Sequence, residues 1–315
     1  MQTTAAQSPS AEAPAARRPR APRPQAVLEV LGKTRISPRL LRLTLGGEGF
    51  STLHRNEQTD AYVKLLLPAP GSGLQPPYDL DALRAESPEL LPTRRTYTVR
   101  RWDDAAQTIE IDVVLHGESG EDDHGVAARW ADEAQPGDLV AMNGAGGGWS
   151  PAPDATSHLL IGDHAALPAI AAGLEAMDPD ARGLALIHLD HEDDRLELQH
   201  PEGVELRWVL GAREQLLDEV AALDLSDHEG LDVFCHVERG ITKQLRRLLV
   251  KDAGIPREQI SISAYWALGR IEDQFQAEKR EPIGAIDLAT YCEGRAVGAQ
   301  SRGTESEQRT ARNER

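Results

Sequence analysis

The sequence predicts an antiparallel β-barrel followed by a parallel-sheet α/β domain of the nucleotide-binding kind, and three observations carry that prediction. Up to about residue 150, apolar and polar side chains alternate in short runs separated by turn residues, the signature of an antiparallel barrel or sandwich. The period changes after Pro151-Ala152-Pro153. Beyond it, short apolar runs alternate with stretches of helical spacing, as in a parallel sheet covered by helices. With 315 residues, 40% of them hydrophobic, the chain has the length and core for two domains. The expected division is a disordered arm over 1–25, a barrel over 26–150, an α/β domain over 151–285 and a disordered tail over 286–315.

Taken in order, the barrel strands are expected at 26–37, 40–47, 61–68, 96–103, 107–117 and 138–144, each a run with period-2 alternation. One helix interrupts them at 125–138, closed by Pro136-Gly137. In the second half, 157–163, 183–189, 204–210, 230–237 and 260–269 read as strands. Helices are expected at 167–177, with Pro168 tolerated in the first turn, at 212–223, at 238–254, where an amphipathic pattern ends at Gly254, and at 270–279.

Composition narrows the function. The formal net charge of −17 repels nucleic acid and anionic lipid, so neither is a favoured partner. The longest apolar runs are too short for membrane insertion. The first residues are rich in Ala, Pro and Arg without an apolar core, which argues against an export signal. Arg17, Arg18, Arg20 and Arg23 read as a solubilising tail. Cys235 and Cys292 stand alone, form no metal-binding spacing and fit a reducing cytoplasm.

Several stretches carry chemistry. In RRTYTVRRWD (94–103), strand alternation puts Arg95 and Tyr97 on one face, roughly 6–7 Å apart. A guanidinium holds phosphate through a fork of donors, and a phenol ring lies against an aromatic ring system. One flat, phosphorylated ligand would engage both. In DVVLHG (112–117), Asp112, Val114 and His116 alternate on one face. Gly125 and Ala127 stand where a helix begins, and free N–H groups there hold an anion. GAGGGW (144–149) fails as a dinucleotide fingerprint, because Trp149 stands where glycine is required and no helix follows. GDHAALPAI (162–170) is the better nucleotide turn, since a strand ends at Gly162-Asp163 and a helix begins near Ala166. HLDHEDD (188–194) reads as an acidic loop rather than a metal site, because its two histidines need not converge.

The motifs RTYTVR (95–100), DVVLHG (112–117), GVAARWA (125–131), GDLVAMNGAGGGW (137–149), GDHAALPAI (162–170), LRRLLVKDAGIPR (245–257) and YWALGR (265–270) resemble, in order, those of the siderophore-interacting protein family of the ferredoxin–NADP reductase superfamily. The resemblance implies an FAD-type barrel and a ferric-siderophore reductase. Arg95 would meet the FAD pyrophosphate, Tyr97 would pack on the isoalloxazine, and Thr98 would hydrogen-bond near its reactive nitrogen, which makes Tyr97 and Thr98 the catalytic candidates. Thr96 lies within the same motif. Asp112, Val114, His116, Gly125, Ala127 and Ala128 would line the cofactor and its phosphates. Gly162, Asp163, Ala166 and Glu238 would form the NAD(P)H side, and Trp266 would approach the flavin. Lys64, Lys243 and Arg270 are candidates for steering an anionic ferric siderophore. Iron is then substrate, and no protein metal site is expected. The acids of 188–194 favour NADH over NADPH, and a ferredoxin-type donor is a further possibility for the electrons.

The chain departs from the family where Tyr62 replaces His, Val126 and Ala128 replace Pro and Ser or Thr, His164-Ala165 replaces Glu-Thr, Val237 replaces Gly, and Ala267-Leu268 replaces a basic residue. Each lost hydrogen bond to a charged group costs roughly 1.5–3 kcal/mol. Two alternatives therefore stand beside the reductase: a non-catalytic siderophore- or partner-binding member, and a general NAD(P)H–flavin oxidoreductase.

Overall fold

The computed structural model describes residues 24–115, 125–270 and 272–278. The expected arm over 1–25 and tail over 286–315 fall almost wholly outside them, as do His116 and Cys292.

The first half is a closed barrel of order β1-β2-β5-β4-β3-β6, built from β1 (Ala26–Ser37), β2 (Leu40–Gly46), β3 (Tyr62–Leu67), β4 (Thr93–Asp103), β5 (Thr108–Val114) and β6 (Leu139–Gly146). Alternation aims Leu28, Val30, Leu43, Leu45, Val63, Leu65, Ile109, Ile111 and Met142 at one core. Helix α1 (Leu80–Glu86), which the sequence reading did not anticipate, is capped by Asp79 through the N–H groups of Asp81 and Ala82. Helix α2 (Val126–Glu133) ends at Glu133, before the proline. It turns Ala127, Ala128 and Ala131 into the barrel core, and these small side chains let its backbone lie close to the strands.

The second half is a parallel five-stranded sheet, β11-β10-β7-β8-β9, made of β7 (Ser157–Gly162), β8 (Arg182–Leu189), β9 (Gly203–Leu210), β10 (Leu231–Glu238) and β11 (Ile260–Trp266). All eight residues of β10 are buried, as the central position between β7 and β11 demands. Around the sheet lie α3 (Leu167–Ala176), α4 (Gln215–Ala221), α5 (Arg239–Arg246) and α6 (Glu272–Glu278). Instead of one continuous α-helix over 238–254, α5 passes into a π-helical stretch, Arg247–Asp252. The Ala253 N–H then bonds the Leu248 carbonyl, and Gly254 leaves the helix at φ 75°, a conformation open to glycine.

The halves meet through named contacts. Arg100 of β4 pairs with Glu175 of α3. Asp194 accepts from Ser37 Oγ (2.7 Å), Arg39 N (3.0 Å) and Arg39 Nη1 (3.0 Å). Trp149, on the connecting segment, donates from Nε1 to Asp232 (3.1 Å) and packs on Phe234 at 4.5 Å. A Cβ on Gly173 would meet that indole at 2.8 Å, so α3 carries glycine where the tryptophan crosses. Among the described residues, no helix is long and apolar enough to cross a membrane.

Candidate active site

The site is built on an incomplete edge of the barrel. β3 pairs with β4 over Thr93–Thr98, whereas β5 joins β4 only from Val99 onward. Among the described strands, the first half of β4 therefore has a neighbour on one side only. Its outward backbone groups have no strand neighbour there, and Glu272 takes the Thr96 N–H instead. Arg95 stands opposite Leu65 and Tyr97 opposite Val63, so the two share a face as the alternation requires. Tyr97 leans on the barrel core. Arg95 donates to the Arg94 carbonyl at 2.7 Å. Burial raises the Tyr97 phenol above its ordinary value. The Glu272 charge adds to that rise and the Arg95 charge opposes it, so both charged groups bear on this ring.

Thr96 and Thr98 face the other way, opposite Lys64 and Tyr62. Thr98 is buried, and its hydroxyl acts on the neighbouring Tyr265 phenol, favouring its charged form. Burial foremost, then the Asp60 charge, raises the Tyr265 phenol, so it stays protonated. Behind it runs an aromatic column: Tyr265 meets His236 edge-on at 4.6 Å, His236 stacks on Phe234 at 4.2 Å, and Trp149 follows. Asp60 supports the same seam by accepting from the Gly148 and Trp149 N–H groups at 2.7 and 2.9 Å. Its carboxyl is raised by burial.

At the start of α2, Gly125 supplies no side-chain cap, no acid stands in the first turn, and a Cβ on Gly125 would meet nothing within 4 Å. Among the described residues nothing caps the first-turn N–H groups, which suit an anion. Ala127 and Ala128 contribute backbone only, because their side chains are buried in the barrel. Val114 packs at the seam with the second domain. Asp112 is placed differently from the expectation: both of its oxygens are taken by Arg42, at 2.7 and 2.8 Å, so it holds β2 to β5. His116 lies outside the described residues.

The turns at the carboxyl edge of the parallel sheet, where a nicotinamide is expected, are knit to themselves. Asp163 accepts from Ala165 N (2.9 Å), Glu238 N (3.0 Å) and Trp266 Nε1 (2.8 Å), and burial raises its carboxyl. Glu238 caps α5 through Gly240 N and Ile241 N and also takes Leu268 N (3.1 Å). Gly162 is small because a Cβ there would press on Ile170 and come within 2.9 Å of Ala166 Cβ. Ala166 is fully buried, so only its backbone can serve a ligand. Trp266 turns toward Asp163, with the Arg213 guanidinium over its ring at 5.3 Å. The aromatic residue that reaches the barrel threonine is Tyr265, not Trp266.

The three steering cations do not form one patch. Lys64 bonds Thr96 Oγ1 at 3.3 Å and lies 5.7 Å from the Tyr62 ring. Arg270 donates to Glu278 at 2.7 Å. Lys243 sits near Arg239 and Glu238, and burial chiefly lowers its ammonium. Helix α6 lies between these groups. Its Glu272 takes the Thr96 N–H at 2.8 Å and the Thr96 hydroxyl, and its Glu278 binds Arg239 as well as Arg270. In the acidic loop, His188 bonds the Gly211 carbonyl at 2.7 Å while Asp194 turns to the barrel, so the cluster diverges. Sequence reasoning missed Glu272 because a single glutamate in a charged stretch carries no signal without its partner.

Comparison with known proteins identifies both halves of the chain. Residues 29–149 match the siderophore-interacting FAD-binding domain and residues 155–269 the siderophore-interacting protein domain. The chain is 38% identical over 273 residues to an uncharacterised protein of Mycobacterium tuberculosis, covering 80% of this chain and 94% of that one. It is 30% identical over 262 residues to the ferric vibriobactin reductase ViuB of Vibrio cholerae, covering 80% and 93%. The siderophore-interacting protein SipS from Aeromonas hydrophila superimposes with a TM-score of 0.68 at 30% identity, over 81% of this chain and 96% of that one. Ferredoxin–NADP+ reductase from Plasmodium falciparum, at 12% identity and a TM-score of 0.56 over 76% and 96%, shares the fold. Two consecutive domain matches, relatives that align almost end to end, and a barrel joined to a five-stranded parallel sheet agree: the chain belongs to the siderophore-interacting protein family.

Proposed function

We propose that this protein is an FAD-dependent ferric-siderophore reductase that releases iron as Fe(II) from oxygen-ligand chelates. The observation that carries the reading is the half-paired β4, which carries Arg95 and Tyr97 on one face and Thr98 on the other along an edge that β5 leaves unpaired. The donors suit FAD. Arg95 and the first-turn N–H groups of α2 would hold its phosphates, and Tyr97 would lie against its ring. Val114 would line the seam. Thr98, oriented by Tyr265, would present its hydroxyl to the ring's reactive edge.

Bound FAD supplies the conversion of a two-electron donor into the single-electron steps that Fe(III) requires. The chain's part is placement. Tyr265 and Tyr97 remain protonated, so Thr98 and the ring face neutral neighbours. Lys64, Arg270 and Lys243, though dispersed, would each add positive charge for an anionic chelate in an acidic chain. Fe(III) prefers hard oxygen ligands, and Fe(II), with lower charge, is held less tightly and leaves. No protein ligand to iron is needed.

The donor is NADH, NADPH or a ferredoxin-type protein, and the protein acts in a reducing cytoplasm. Trp266, held by Asp163 and Arg213 beside the turn expected to take the nicotinamide, would slow a nicotinamide route. The test is anaerobic. Reduced FAD-loaded protein is mixed with ferric chelates and Fe(II) is trapped by a chromogenic chelator. Two Fe(II) per flavin are expected. A bleached flavin that persists with every chelate would sink the reading.

A further inference from the structure

Helix α6 is tied down by its own acids. Glu272 accepts from the Thr96 N–H at 2.8 Å and from the Thr96 hydroxyl, on the β4 edge that lacks a strand neighbour. At the other end Glu278 binds Arg239 and Arg270. Between them Phe275 is 1% exposed, with the Arg239 guanidinium 5.8 Å from its ring. A seven-residue helix does not persist in water by itself, so these three anchors hold it. Glu272 thereby occupies the backbone donor that an approaching ligand of β4 would use.

We propose that α6 is an autoinhibitory strap: the Glu272 carboxylate closes the β4 edge, and FAD must displace it to bind. The ligand in this statement rests on the functional reading above; the contact does not. Releasing α6 also breaks the bonds of Glu278 to Arg239 and Arg270. A closed strap lowers apparent affinity by the fraction of molecules that are open, so a strap closed in nine molecules of ten weakens binding about tenfold.

The experiment titrates FAD into the apoprotein of the wild type, Glu272→Ala and Phe275→Ala, following flavin fluorescence. Amide exchange of α6 is recorded with and without FAD. The strap predicts binding about tenfold tighter in both variants and faster exchange of α6 when FAD is bound to the wild type. Two variants at opposite anchors separate release of the helix from damage at one residue. FAD that binds the wild type but protects α6, or that binds both variants no better, overturns the strap and leaves the functional reading intact. FAD that binds none of the three proteins overturns both.

Discussion

Replacing Asp194 by alanine tests the joint between the two domains. Its side chain is 0% exposed and takes three hydrogen bonds from the turn between β1 and β2, with His164 Nε2 at 3.6 Å. Removing it leaves the Ser37 hydroxyl and the Arg39 N–H without an acceptor, and such buried orphans cost ~1–3 kcal/mol each. The Arg39 guanidinium is 36% exposed, so water replaces most of its share and adds little. The expected loss on Asp194→Ala is about 3–4 kcal/mol, and Asp194→Asn, which keeps one acceptor, loses roughly half. Urea denaturation at pH 7 measures it. Acid adds a check on sign. Burial pushes the Asp194 carboxyl up, but the bonds from Ser37 and Arg39 and the His164 charge outweigh it and hold the group below its ordinary value. The unfolded chain then binds more protons near pH 4, so stability from this group is complete above its unfolded pKa of about 3.9 and fades as pH falls through the folded value. The gap between wild type and Asp194→Asn should narrow as pH falls below about 4. A loss under about 1 kcal/mol for Asp194→Ala, or a gap that widens in acid, would refute the reasoning.

Four further outcomes follow from the site. Tyr97→Ala should weaken FAD binding by roughly 30- to 100-fold through loss of a stacked ring, whereas Tyr97→Phe should stay within about threefold; fluorescence titration distinguishes them. Thr98→Val should keep FAD to within about tenfold, the worth of one neutral hydrogen bond, while slowing anaerobic Fe(II) formation more than affinity. Trp266→Ala should speed NADH-driven flavin reduction in stopped flow by about tenfold or more if the indole bars the nicotinamide; a slower reaction would place Trp266 on the productive side. Gly162→Ala forces a Cβ against Ile170 and Ala166 and should cost about 1–3 kcal/mol of stability by overpacking.

Local signals survived into the structure. Alternation in 26–37 became β1, and the change of period after Pro153 marks the start of the parallel sheet, because burial on one face or two is written into residue order. The facing of Arg95 and Tyr97 followed from the same period. Non-local facts were not legible. Asp112 looks like a ligand in its own strand, and only the β2–β5 register reveals Arg42 opposite it. Tyr265 and Trp266 are neighbours in sequence and point to different halves of the molecule. Glu238 is expected beside the nicotinamide, and the sequence gives no sign that its side chain also caps α5. Helix α1 hid in a short stretch whose only mark was its Asp79 cap. The π-helical end of α5 needs a shifted hydrogen bond that no side-chain pattern announces.

The central claim is that FAD sits between the open edge of β4 and the first turn of α2. Amide exchange of the wild type, with and without saturating FAD, tests it directly. The account predicts protection at Thr98 and at Val126–Ala128 together. Protection at neither segment, or only at the carboxyl edge of the parallel sheet, would contradict it.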